Sequence, residues 1–166
     1  MSERTPTLHM VCGKIASGKS TLAANIGRET AAVVISEDTW LNALFAEDLQ
    51  TISDYVRCTK KLREAMAPHI TSLLHLGVSV VLDFQANTVE ARKWMSGIIE
   101  ASGASHVLHV LDVPDAVCLE RLKIRNARGD HPFLVTEEQY HQISNHFSTP
   151  SSEENFNIVV HPSSEI

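Results

Sequence analysis

The sequence predicts an α/β fold built on a five-stranded parallel sheet. Three observations carry this. Short apolar runs rich in β-branched residues recur along the 166 residues. Stretches of helical periodicity alternate with them. A glycine-rich loop directly follows the first run. Buried parallel strands read as continuous apolar segments, and the helices that connect them cover both faces of the sheet.

The elements follow in order. "TLHMVC" (7–12) is the first expected strand, and "STLAANIGRE" (20–29) the first helix, with Gly27 near its end. "AAVVIS" (31–36) is the second strand, and "EDTWLNALF" continues it as a loop and a helical turn. Residues 53–76 carry a long helical pattern closed by Gly77, with Pro68 inside it expected to kink or split the helix. "VSVVLDF" (78–84) is the third strand. Residues 87–102 open with Asn87-x-x-Glu90, a capping signature, and Gly103 suits the end of that helix. "SHVLHVLDV" (105–113) is the fourth strand. A helix over 114–128 starts at a proline, another covers 136–147, and "FNIVVH" (156–161) is the last strand. The whole of 1–166 reads as a single domain.

Composition narrows the function. The formal net charge of −6 argues against a general nucleic-acid binder, which needs a Lys/Arg footprint. Cys12, Cys58 and Cys118 are scattered and odd in number, which reads as three reduced thiols in a cytoplasmic protein. The polar start "MSERTPT" has no leader pattern, and no apolar run is long enough to span a bilayer.

In open parallel sheets, ligands bind beyond the carboxyl ends of the strands. Gly13-Lys14-Ile15-Ala16-Ser17-Gly18-Lys19-Ser20 lies there and fits the pattern G-x-x-x-x-G-K-[ST]. Gly13 and Gly18 allow a close backbone approach. The turn through Lys14, Ala16 and Ser17 points N–H groups inward as a nest for phosphate oxygens, and the following helix adds its positive end. In such a loop Lys19 reaches the β- and γ-phosphates of ATP, Ser20 offers its hydroxyl to Mg²⁺, and Thr21 touches the α-phosphate.

Other strand ends carry carboxylates. Glu37 and Asp38 follow the second strand. A carboxylate there can orient and deprotonate an attacking hydroxyl. Asp38 also fits as the N-cap of the next helix, and spacing alone does not choose. Asp83 ends the third strand and suits a Mg²⁺ ligand, with an Asx-turn as the structural alternative. Phe84 follows it where mechanical ATPases place a water-activating Glu. Arg121, Arg125 and Arg128, at i, i+4 and i+7, share one helix face and suit a lid over the phosphates, about 121–135, with Gly129 and Pro132 bracketing a hinge. His106 and His109 should point to opposite faces of their strand, His131 reads as a surface-loop residue, and no zinc site is expected.

Taken together, the loop at 13–20, "ISED", "VVLDFQANTVEARK", "LDVPDAVCLERL" and "RNARGDHP" resemble the small P-loop kinases of the AAA-type group, related to zeta toxins and to the polynucleotide 5′-hydroxyl kinase module. The resemblance covers about residues 8–160. It implies a three-layer P-loop NTPase fold with strand order 2-3-1-4-5. It also implies Asp38 as general base, Asp83 near Mg²⁺, and Arg125 and Arg128 as lid arginines, with Arg121 resting mainly on the stripe. The relatives that act on nucleic acid often carry an Arg three residues after the base, where this chain has Leu41. The expected activity is transfer of the γ-phosphoryl of Mg-ATP to a hydroxyl of a small molecule. A 5′-hydroxyl polynucleotide kinase and a nucleotide-dependent regulatory ATPase are the alternatives.

Overall fold

Strand β1, Thr7–Cys12, runs through the middle of a sheet that also contains β2 (Val33–Ser36), β3 (Val80–Gln85), β4 (Ser105–Asp112) and β5 (Ile158–Pro162). All neighbouring pairs are parallel, in the order β2-β3-β1-β4-β5. The structure, a computed structural model, describes residues 5–129, 131 and 133–163. Pro132 of the expected hinge and the polar start at 1–4 lie outside these residues.

The connections are helical: α1 (Lys19–Thr30), α2 (Glu37–Phe45), α3 (Ile52–His75), α4 (Val89–Ser102), α5 (Asp115–Arg128) and α6 (Glu137–Ser144), with a 3₁₀ turn at Ser152–Glu154. Alternation along β1 divides the core. Leu8, Met10 and Cys12 pack with Leu62, Met66 and Ile70 of α3 and Met95 and Ile98 of α4. Val11 points the other way, onto Ala23 and Ile26 of α1. On that second face Leu111 meets Cys118 and Leu122 of α5 and Tyr140 of α6. All three cysteines are buried free thiols. Among the described residues no helix is long and apolar enough to cross a membrane.

Several expectations are corrected. Pro68 does not split its helix: α3 is continuous from Ile52 to His75. The proline removes one backbone donor, yet Met66, Ile70 and Leu74 on either side are buried in one core, which holds the two halves together. "EDTWLNALF" is a full helix, not a loop and a turn, and its N-cap is Ser36, whose hydroxyl accepts from the Thr39 N–H. Asp38 is therefore not a cap. Asn87 is not a cap either: α4 starts at Val89, and Thr88 accepts the capping bond from the Ala91 N–H. α6 is shorter than the expected 136–147 because its capping box at Thr136 and Gln139 is followed by only two turns.

The histidines of β4 do face opposite ways. His106 sits edge-on to Phe156 and accepts from the Asn157 N–H. His109 lies between two other imidazoles. Its Nε2 is 3.1 Å from Nδ1 of His9, and its Nδ1 is 2.9 Å from Nε2 of His161. Three adjacent strands thus carry a hydrogen-bonded row of histidines.

Candidate phosphate-binding site

Three strand ends and one helix start converge at the carboxyl edge of β1. The loop leaves the sheet at Gly13, closes with a Ser17 N–H to Lys14 C=O bond of 3.1 Å, and enters α1 at Gly18. Gly18 has φ 103° and Ala16 φ 60°, so the backbone reverses its sense twice within the loop. Such alternation turns successive N–H groups toward one concave face. Gly13 is required by space: a Cβ there would stand 2.5 Å from Ser17 Oγ and 3.1 Å from Leu111 Cβ.

Lys19 folds back over the loop and donates to the carbonyls of Gly13 (2.7 Å) and Lys14 (2.8 Å). Burial pushes its pKa down to about 8, against the pull of Asp83 and Asp38. Lys14 is engaged elsewhere, in a 2.8 Å ion pair with Asp115, which also accepts from the Tyr140 hydroxyl at 2.7 Å. Thr21 is exposed at the first turn of α1.

Ser20 donates to Asp83 Oδ2 at 2.7 Å. Burial pushes the Asp83 carboxyl above the ordinary carboxylate range, against Ser20 and Lys19. A hydroxyl and a carboxylate in contact are hard oxygen donors, and few in number, which fits Mg²⁺ held partly by its own waters and by phosphates.

Glu37 and Asp38, adjacent in sequence, part company in space. Glu37 is 4% exposed. It accepts from Arg63 at 3.2 Å and from the Tyr55 hydroxyl at 3.5 Å, both on α3. Burial raises its pKa despite Arg63. It braces α2 against α3. Asp38 retains access, with its side chain 32% exposed, and its Oδ2 lies 3.2 Å from His131 Nε2. His131 is therefore packed at the site rather than loose on the surface.

The three arginines of the stripe differ. Arg121 donates to the carbonyl of Ser17 at 3.2 Å and so touches the loop. Arg125 is half-buried, its guanidinium pKa lowered by burial and supported by Asp38. Its Nε has no hydrogen-bond partner among the described residues. Arg128 is exposed in the last turn of α5. Leu41, three residues after Asp38, is fully buried in the core.

Sequence reading missed Arg63, Tyr55 and Asn87. The first two lie three turns and one turn into an amphipathic helix, where nothing local marks a partner on another element. Asn87 lies just past the end of β3, and its spacing to Glu90 matched a capping signature.

A parallel sheet ordered 2-3-1-4-5, with a phosphate loop after its central strand, defines the P-loop kinase fold. Residues 8–150 match the AAA domain family, and the chain belongs to that family. Solved structures agree on the fold. A provisionally named kinase from Chloroflexus aurantiacus superposes with TM-score 0.77 at 15% identity, covering 96% of this chain and 86% of that one. A gluconokinase from Sinorhizobium meliloti gives 0.62 at 19% identity, with coverage of 98% and 88%. The Mycobacterium tuberculosis APS kinase in complex with AMPPNP and APS gives 0.65 at 20% identity, with coverage of 95% and 88%. No curated protein matches the chain.

Proposed function

We propose that the protein is an ATP-dependent kinase that transfers the γ-phosphoryl group of Mg-ATP to a hydroxyl of a small molecule. One observation carries the reading: Asp38 caps no helix, keeps its side chain 32% exposed opposite His131, and its charge acts on Lys19, Asp83 and Arg125. A site built only to hold ATP has no use for it, whereas an acceptor hydroxyl needs a proton acceptor in line with the phosphate.

In this reading the loop amides and Lys19 bind the phosphates. Ser20 and Asp83 hold Mg²⁺, which when bound neutralises phosphate charge. Asp38 orients the hydroxyl and takes its proton. Arg125 stabilises the charge on the moving phosphoryl group, and Arg128 joins it if the segment after α5 closes. Arg121 keeps Ser17 in place. The buried free thiols and net charge of −6 fit a reducing, cytoplasmic setting and a small acceptor rather than a nucleic-acid end.

A metabolite pool incubated with labelled ATP and purified protein tests this. The expected result is a labelled small molecule that depends on Asp38. Label transferred instead to an oligonucleotide 5′ end, fading steeply with salt, would replace the small acceptor with a polynucleotide. Phosphate release without any labelled product would point to a regulatory ATPase.

A further inference from the structure

Asn87 occupies a position with no counterpart in the nucleotide chemistry described above, yet its side chain bonds both backbone groups of Gly13 at the start of the loop. Its amide forms two hydrogen bonds with a single residue: Oδ1 accepts from the Gly13 N–H at 2.9 Å, and Nδ2 donates to the Gly13 C=O at 2.7 Å. Strand pairing between β1 and β3 extends just past its end, with the Ala86 N–H donating to Val11 C=O at 3.1 Å. Beyond that the side chain of Asn87 takes over the part of a neighbouring strand.

The consequence reaches Lys19. The Gly13 carbonyl has two lone pairs, one taken by Asn87 and the other by the Lys19 ammonium. Asn87 thus fixes both the point where the loop leaves the sheet and the carbonyl on which Lys19 rests. It also diverts the Gly13 N–H from the phosphates, so the nest begins further along the loop.

Asn87 is itself held. Its backbone carbonyl accepts from the Ser148 N–H at 2.8 Å. Arg92, 0% exposed, donates to the carbonyls of Ala86 (2.9 Å) and Ser148 (2.8 Å) and pairs with Glu154 at 2.8 Å. The preceding residue of the same segment, Phe147, lies under the Lys14 ammonium, 5.9 Å from ring centroid to nitrogen. The segment between α6 and β5 is therefore tied to the loop on both sides of Asn87.

We infer that Asn87 is a positioning residue for the phosphate loop, presenting Gly13 and Lys19 in the geometry that accepts a nucleotide. The inference rests on the reading of residues 13–20 as a nucleotide site. Losing two hydrogen bonds at the loop's origin releases it from that geometry, and restoring the geometry on binding corresponds to roughly a 5- to 100-fold loss of affinity.

The test uses the full chain with AMPPNP and Mg²⁺ in titration calorimetry, together with amide hydrogen exchange. Asn87→Ala should weaken AMPPNP binding by that factor and expose the Gly13 amide to exchange, while β1 and β3 keep their protection. Asn87→Asp retains an acceptor for the Gly13 N–H and loses the donor. It should keep the Gly13 amide protected and still weaken binding, which also serves if the Ala variant does not fold. Binding by either folded variant within twofold of the unaltered protein overturns the inference. If the unaltered protein itself does not bind AMPPNP, the nucleotide reading fails. The role of Asn87 is then decided by exchange alone, and an unchanged Gly13 amide in Asn87→Ala overturns it.

Discussion

Asp38 and His131 stand face to face, with Oδ2 and Nε2 separated by 3.2 Å. His131 follows α5 by three residues, so the segment expected to close over the phosphates already reaches the proposed base. Neutralising that base separates binding from chemistry. Asp38→Asn keeps the size and planar shape of the side chain and removes the proton acceptor. Nucleotide affinity should hold within about twofold, while phosphoryl transfer falls by roughly 10²–10⁴-fold, the usual contribution of a general base. Transfer at the unaltered rate would take Asp38 out of the mechanism.

The contact between Ser20 and Asp83 makes a different prediction. Both oxygens are proposed Mg²⁺ partners, so their loss should act on the metal dependence before it acts on the fold. Asp83→Asn should raise the Mg²⁺ concentration needed for half-maximal nucleotide binding by tenfold or more, and Ser20→Ala should do so to a smaller degree. Nucleotide titrations across a Mg²⁺ series read this directly. An unchanged midpoint in both variants would assign the pair a structural role only.

The sheet was legible because strand and helix periodicities differ so sharply, and because the loop at 13–20 fixes what lies before and after it. The strand starts and ends were within two or three residues of those observed. What failed was assignment of local polar residues to local duties. Asn87 and Asp38 each matched a capping pattern, yet Thr88 and Ser36, one and two residues away, took the caps. Capping patterns are short and tolerate such shifts, so the displaced residue is free to bond across the fold. Glu37 and Asp38 were indistinguishable in sequence because their difference comes from Arg63 and Tyr55, contributed by a helix that starts fourteen residues further on. Pro68 shows the same limit: its local cost is real, and packing that only the tertiary fold supplies outweighs it.

Arg92 should be among the costliest residues to remove. Its guanidinium is fully buried and bonds two backbone carbonyls and Glu154. Arg92→Ala leaves those acceptors without donors, and truncating one partner of a buried ion pair costs about 3–5 kcal/mol. The midpoint of urea unfolding should fall accordingly with little change in slope. Loss of less than about 1 kcal/mol would show that water replaces the guanidinium, against the burial seen here.

Stability should depend on pH through the row of histidines. Burial lowers the pKa of His9, and it lowers that of His109 to about 4 from the ordinary 6.5, with His9 and His161 adding repulsion. The unfolded chain takes up a proton at His109 as pH falls through 6.5, while the folded chain resists until about 4. Protonation therefore favours unfolding throughout that window. The stabilisation is complete above pH 6.5 and is lost as pH falls toward 4. Asp115 and Glu154 are held below the ordinary carboxylate range by Lys14 and Arg92, so their own loss of stability is confined to the acid end. Thermal unfolding between pH 7 and pH 5 spans the histidine window, and the raised carboxyls of Glu37 and Asp83 act there in the opposite direction, so His109 is read by comparing two proteins. The unaltered protein should lose several degrees across it. His109→Gln, which keeps a donor and an acceptor in the row but does not titrate, should have a visibly flatter profile. Equal slopes for the two proteins would take His109 out of the pH dependence of stability.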